Sequence, residues 1–177
     1  MKFAVFLCLS LQKYIFIMFI DYESISNDAK VWIYPSSRKF YPLEIEEVDQ
    51  KIKSFVENWK SDDENFKASY RFLYNRFIVL IADDENTTLT NVDVDASVSF
   101  ILELQNTYKL ELLDKMNVCF KQGKFVQYKE LKDFKKLLKN KALTGKTIIF
   151  DNLITNNEEF KNFWEVPIEE SWYNRFL

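Results

Sequence analysis

An α+β fold is predicted by three features of the 177-residue sequence: short runs of strand-forming residues, amphipathic helical stripes between them, and the order in which they alternate. From Ala29 to Lys121 that order is strand, helix, strand, strand, helix, strand. It is the ferredoxin-like β-α-β-β-α-β arrangement, in which both helices cover one face of a four-stranded antiparallel sheet. Residues 122–177 are expected to add a C-terminal β/α extension. No internal repeat, low-complexity tract or Gly/Ser linker divides the chain, so residues 18–177 read as a single α+β domain, with 29–121 its ferredoxin-like part.

Each element has its own signal. Ala29–Tyr34 (AKVWIY) is rich in strand formers and is closed by Pro35-Ser36-Ser37. Pro42 then opens a helix whose apolar residues Val48, Ile52, Phe55, Val56 and Trp59 recur at helical spacing. Glu44, Glu46 and Glu47 suit the positive end of its dipole. Phe66–Tyr74 and Arg76–Ala82 read as an antiparallel hairpin turning near Tyr74-Asn75. After a polar loop, Asp83–Asn91, Asp95 is expected to cap a second helix with the stripe Val98, Ile101, Leu104, Gln105 and Tyr108. Asn117–Lys121 and Lys124–Tyr128 are strands joined through Gln122-Gly123. Leu131, Phe134, Leu137 and Leu138 mark a third helix, and Thr147–Phe150 is extended. Two short helices are expected around Asn157–Phe163 and Ile168–Tyr173.

Composition excludes several chemistries. The chain has no histidine, which removes Ser-His-Asp and Cys-His triads, histidine-ligated metals and histidine acid–base catalysis. Two cysteines, Cys8 and Cys119, form neither a disulfide framework nor a four-ligand zinc site. A net charge of −3 lacks the basic excess of a duplex-binding domain. With 47% hydrophobic and 17% aromatic residues, the chain has ample material for a core.

The first twenty residues, MKFAVFLCLSLQKYIFIMFI, are apolar but interrupted by Ser10, Gln12 and Lys13. No small-residue cleavage site follows them. Residues 1–17 are therefore read as a mis-started segment, with Met18 opening the protein and a cytoplasmic location expected.

Four local signals invite chemistry. Thr144-Gly145-Lys146-Thr147 resembles the end of a phosphate loop, and Ile78–Asp84 resembles an apolar strand ending in acids. A P-loop needs glycine where Asn140 stands, however, and must follow a strand and open a helix. Asp83, Asp84, Asp93 and Asp95 lie within thirteen residues and offer oxygen ligands for a divalent cation, though without EF-hand spacing. A lysine-rich stretch around the third helix (Lys129, Lys132, Lys135, Lys136, Lys139, Lys141, Lys146) reads first as a solvated face and second as a surface for RNA or an acidic partner. Trp164, Trp172 and Arg175 are the candidate partner-binding residues, set against the alternative that the tail's aromatics pack on its own core.

The segments VWIYPSSR (31–38), ASYRFLYNRFIVL (68–80), DVDASVSFILEL (93–104) and VPIEESWYNRFL (166–177) together resemble a family of small uncharacterised proteins from Bacteroidetes. The similarity runs from about Met18 to Leu177. Members are often labelled "ABC transporter ATPase", so the resemblance implies ATP binding, yet the chain has neither a P-loop nor a Leu-Ser-Gly-Gly-Gln-like signature. Relatives carry a Gly-Cys-Ser-Ile-Asp stretch before the second helix, whereas this chain has Asn91 and Val92 where that Gly-Cys would stand. The 116–153 stretch is also similar in pattern to small GYF-like peptide-binding modules.

The function expected from these readings is a non-catalytic protein that binds an unidentified protein partner, with no cofactor. The alternatives are a carboxylate-dependent divalent-metal enzyme and an ATP-binding protein. Nucleic acid is not the expected partner, nor is a membrane unless residues 1–17 are genuine.

Overall fold

Two antiparallel sheets stacked face to face, with helices on both outer surfaces, organise the chain. The computed structural model describes residues 20–60, 65–85 and 88–177. The expectation that Met18 opens the protein lies outside these residues. The first sheet has three strands in the order β1-β3-β2, with β1 spanning Lys30–Pro35, β2 Lys67–Leu73 and β3 Phe77–Asp83. Helices α1 (Pro42–Asn58) and α2 (Asn91–Tyr108) cover its outer face. The second sheet has the order β5-β4-β6-β7, with β4 at Asn117–Gln122, β5 at Phe125–Glu130, β6 at Ile148–Phe150 and β7 at Glu165–Pro167. Helix α3 (Leu131–Lys139) and the C-terminal 3-10 turns lie on the far side of that sheet. Helix α4 (Asn157–Phe163) crosses beside β1.

The period-two alternation of strands explains the layering. Along β3, Ile78, Leu80 and Ala82 face the helices and pack with Val48, Ile52 and Val56 of α1. Phe77, Val79 and Ile81 face the other way, onto Cys119, Val126 and Phe150 of the second sheet. β3 is thus buried on both faces over its whole length, which is why its sequence, FIVLIAD, is a continuous apolar run. In the second sheet Cys119 points inward, while Val118 and Phe120 point outward to Phe134 of α3 and to Tyr173 near the C-terminus.

The expected four-stranded ferredoxin-like sheet is not what forms. The strand order β1-β3-β2 matches three of its strands, but β4, expected beside them, pairs with β5 and β6 instead. The outer edge of β1 is taken by the segment before α4: Val31 N–H donates to Thr155 O at 2.9 Å, and Lys30 bridges Asn156. A tight turn at Gly123 (φ +60°) joins β4 to β5 in a six-residue ladder, and both faces of β4 then find apolar cover. The division between the two sheets therefore falls before β4, not after residue 121.

Two other boundaries differ from expectation. Helix α2 begins at Asn91, a turn before Asp95, because Thr90 and Asp93 close a reciprocal capping box there. Ser97 is buried along that helix, while Val98 is partly exposed. Strand β7 was not foreseen; its three residues separate α4 from two 3-10 turns, Ile168–Glu170 and Trp172–Phe176, where a short helix was expected. The β2–β3 hairpin turns where predicted, with Tyr74 (φ 55°) and Asn75 (φ 51°) both left-handed, as a type I′ connection requires.

Candidate functional site

A surface groove of about 980 Å³ opens where β5 runs into α3, opposite the loop preceding β4. Its walls are built from three segments. Tyr128, Lys129 and Glu130 come from the end of β5, Leu131, Lys132, Asp133, Lys135 and Lys136 from the first turns of α3, and Glu111, Asp114, Met116 and Asn117 from the loop. Met116, 72% exposed, supplies apolar surface on one side.

The floor is held by a short polar chain. Asn117 Nδ2 donates to Asp114 Oδ2 at 2.5 Å and to the Tyr128 hydroxyl at 2.9 Å, while Met116 N–H donates to Asp114 Oδ1 at 2.7 Å. Burial, reinforced by the Asp114 charge, pushes the Tyr128 phenol up to about 12. Tyr128 is therefore a neutral, oriented wall and not a proton-transfer group near pH 7.

The charged rim is mixed, with Glu111, Asp114, Glu130 and Asp133 standing among Lys129, Lys132, Lys135 and Lys136. Lys136 pairs with Asp133 at 2.9 Å, but among the described residues Lys129, Lys132 and Lys135 have no carboxylate within ion-pair distance. Lys135 instead lies over the Phe176 ring at 4.1 Å. The Phe176 ring meets Trp172 edge-on at 5.5 Å, and the Arg175 guanidinium stacks 3.8 Å over Trp172. A cation–aromatic array thus continues from the groove onto the C-terminal turn.

The sequence-predicted partner residues separate here. Trp172 and Arg175 are at the surface, with Trp172 42% exposed. Trp164 is a core residue: it is 5% exposed, meets Phe77 edge-on and Phe150 and Phe160 at tilted angles, and donates its indole N–H to Asn152 at 3.0 Å.

The four acids proposed as metal ligands are each placed by local structure. Asp83 is buried at the end of β3 and accepts the Glu85 N–H at 3.1 Å, and Asp84 pairs with Lys30 at 2.5 Å. Asp93 closes the α2 capping box and faces Lys60 at 3.5 Å. Asp95 is exposed one turn into α2 instead of capping it. Among the described residues no group of three Asp, Glu, Cys or His side chains is placed to hold a metal ion.

The Thr144–Thr147 segment is a closed turn. Thr144 N–H donates to Thr147 Oγ1 at 3.1 Å and Thr147 N–H to Thr144 O at 2.9 Å. A Cβ at Gly145 would meet the Glu169 carboxylate at 2.6 Å. Two of the amides a phosphate would need are spent internally, and a carboxylate flanks the loop.

Sequence reasoning missed Arg76, at the end of the β2–β3 turn. It is 8% exposed; its Nη1 donates to Ser36 O at 2.7 Å, and its Nε is buried without a hydrogen-bond partner. Burial depresses its pKa, opposed by the nearby Cys119 and Tyr128 side chains. Cys119 itself is a free buried thiol whose pKa burial raises to about 12. No sequence signal marked Arg76, since its neighbours come from distant strands. Comparison with protein-family models, with curated proteins and with solved structures returns no match.

Proposed function

We propose that the chain is a non-catalytic binding protein that docks a partner polypeptide in the groove between β5, α3 and the 111–117 loop. The observation that carries this reading is an open groove with a hydrogen-bonded Tyr128–Asn117–Asp114 floor and a rim of four lysines and four carboxylates, continuous with the exposed Trp172–Arg175 stack. Concave surfaces with a few oriented polar groups and cation-bearing aromatics are where binding energy concentrates. The groups lining it include no nucleophile–base pair, and its one phenol is held protonated.

The test is selection of a random-sequence peptide display library against the full chain. The proposal expects enriched peptides whose binding is lost when Lys132 and Met116 in the groove are both replaced by alanine. Enriched peptides that bind this variant unchanged, or no enrichment at all, would contradict it.

A further inference from the structure

We infer that the polypeptide received by the groove is a second copy of this chain, paired antiparallel along the open edge of β5 so that the turn at Gly123–Lys124 of each copy reaches the groove of the other. This rests on the docking reading above and names the partner. Three observations carry it.

The first is the edge itself. The outer edge of β1 is taken by Thr155 and Asn156, β2 receives the Ile20 N–H at Ala68 O, and β7 is only three residues long. β5 has six residues, and among the described residues its backbone ladder runs to β4 alone. Helix α3 does not cover it, because Phe134 and Leu138 pack in one cluster with Val118, Phe120 and Ile149 of the neighbouring strands. An open edge of this kind takes up a further strand through main-chain hydrogen bonds.

The second is the direction of its backbone groups. The two-residue turn Gly123-Lys124 sets Gln122 opposite Phe125, which makes that a hydrogen-bonded pair. Alternation then aims Phe125, Gln127 and Lys129 at β4, and turns the N–H and C=O groups of Val126 and Tyr128 away from the sheet. A two-fold axis at Gln127 places Val126 opposite Tyr128 of the second copy, so the outward groups of the two strands meet.

The third is self-complementarity in that register. The same axis sets Lys124 opposite Glu130 and Phe125 opposite Lys129, each contact occurring twice. Lys124 and Glu130 are exposed, and among the described residues neither is in an ion pair. Phe125 is 55% exposed. Opposite charges and a β-branched residue facing an aromatic both stabilise a strand pair, and an ammonium is attracted to a ring. An axis at Tyr128 also joins outward groups but sets Val126 against Glu130. The mixed rim suits this occupant, since a surface that pairs with itself must present both signs; Lys124 of the second copy arrives beside Glu130, on the wall that faces Glu111 and Asp114.

Sedimentation velocity of the full chain, from about 1 to 500 μM, tests the inference. The wild type is expected to pass from monomer to dimer across this range. K124E and E130K each set like charges opposite one another in both symmetry-related pairs, and each is expected to weaken self-association by about tenfold. An equimolar mixture of the two restores opposite charges at both pairs and is expected to associate within about threefold of the wild type, as is the double variant K124E/E130K. A monomer throughout, a dimer that both single variants leave unchanged, or a mixture no tighter than its components would overturn the inference. A monomer together with groove-dependent peptides from the display selection leaves the docking reading standing and this inference refuted; a monomer with no selected peptide refutes both.

Discussion

The Lys135 ammonium lies 4.1 Å from the centre of the Phe176 ring, so the third helix and the C-terminal turn meet through a cation–π contact. Because Lys135 also lines the groove, this contact joins the lysine rim to the Trp172–Arg175 stack. The proposed binding surface therefore draws on two segments forty residues apart, one predicted as a solvated helix face and one as an aromatic tail.

The two tail tryptophans should behave oppositely on truncation. Trp164→Ala empties part of the core between the sheets and is expected to cost about 3–5 kcal/mol. Trp172→Ala removes a 42% exposed ring and is expected to cost less than about 1 kcal/mol. Urea denaturation of both variants, with peptide binding measured for Trp172→Ala, checks the contrast. Equal destabilisation by the two would contradict the assignment of one to the core and one to the surface.

Helix α2 should weaken in acid through its cap. Burial raises the Asp93 pKa, but hydrogen bonds from the Thr90 backbone and hydroxyl, together with Lys60, outweigh it and hold the carboxyl below its ordinary value of 3.8. A depressed folded value means the stabilisation is complete above the unfolded pKa and is lost as pH falls through the folded one. Stability of the wild type should therefore drop below about pH 4 by more than that of Asp93→Asn. At neutral pH, Thr90→Ala should cost about 1 kcal/mol. Both are read from chemical-denaturation midpoints across pH.

Cys119 should be inert in the native state. Its thiol is 0% exposed and raised to about 12, so almost no thiolate exists near neutrality. Labelling by a thiol reagent, located by peptide mapping, should be limited by unfolding, and prompt native-state modification of Cys119 would show this burial to be wrong. The sign at high pH follows from the raised value. Protonated-thiol stabilisation is full below the unfolded pKa of 9.0 and is lost as pH rises from there toward about 12.

Arg76 should tolerate an apolar replacement of similar length. Ser36 N–H donates to Arg76 O while Arg76 Nη1 donates back to Ser36 O, but the guanidinium has no carboxylate partner among the described residues and its Nε is unpaired. Removing a buried, uncompensated charge offsets the loss of one hydrogen bond, so Arg76→Met should change stability by less than about 1 kcal/mol. Arg76→Ala should cost about 2 kcal/mol or more through the cavity it leaves. Thermal unfolding of the pair distinguishes packing from charge.

Most individual elements were legible because their apolar residues keep one period. The α1 stripe Val48, Ile52, Val56 and Trp59 is the face that is buried, and the hairpin turns at Tyr74-Asn75. What was not legible was the partner of β4. Val118, Cys119 and Phe120 are consecutive apolar residues buried on both faces, so alternation does not reveal which neighbours cover each side. Only the long-range pairing of β1 with Thr155 and Asn156 closes the first sheet to a fourth strand. The start of α2 is ambiguous in sequence because Asp95 and Thr90 are both acceptable caps, and the reciprocal bond with Asp93 decides between them. The groove was visible only as scattered lysines, since its opposite wall, Glu111–Asn117, is brought to α3 by the strand pairing. Trp164 and Trp172 carry the same local signal, and burial alone separates them.

Hydrogen exchange of the β5 amides, residues 125–130, with and without a peptide selected from the display library, tests the docking surface most directly. Slowed exchange in β5 and in the first turns of α3, with β7 and the exposed Val98–Leu102 face of α2 unchanged, is the predicted result. Protection confined to α2 or β7, with β5 exchanging as in the free protein, would contradict it.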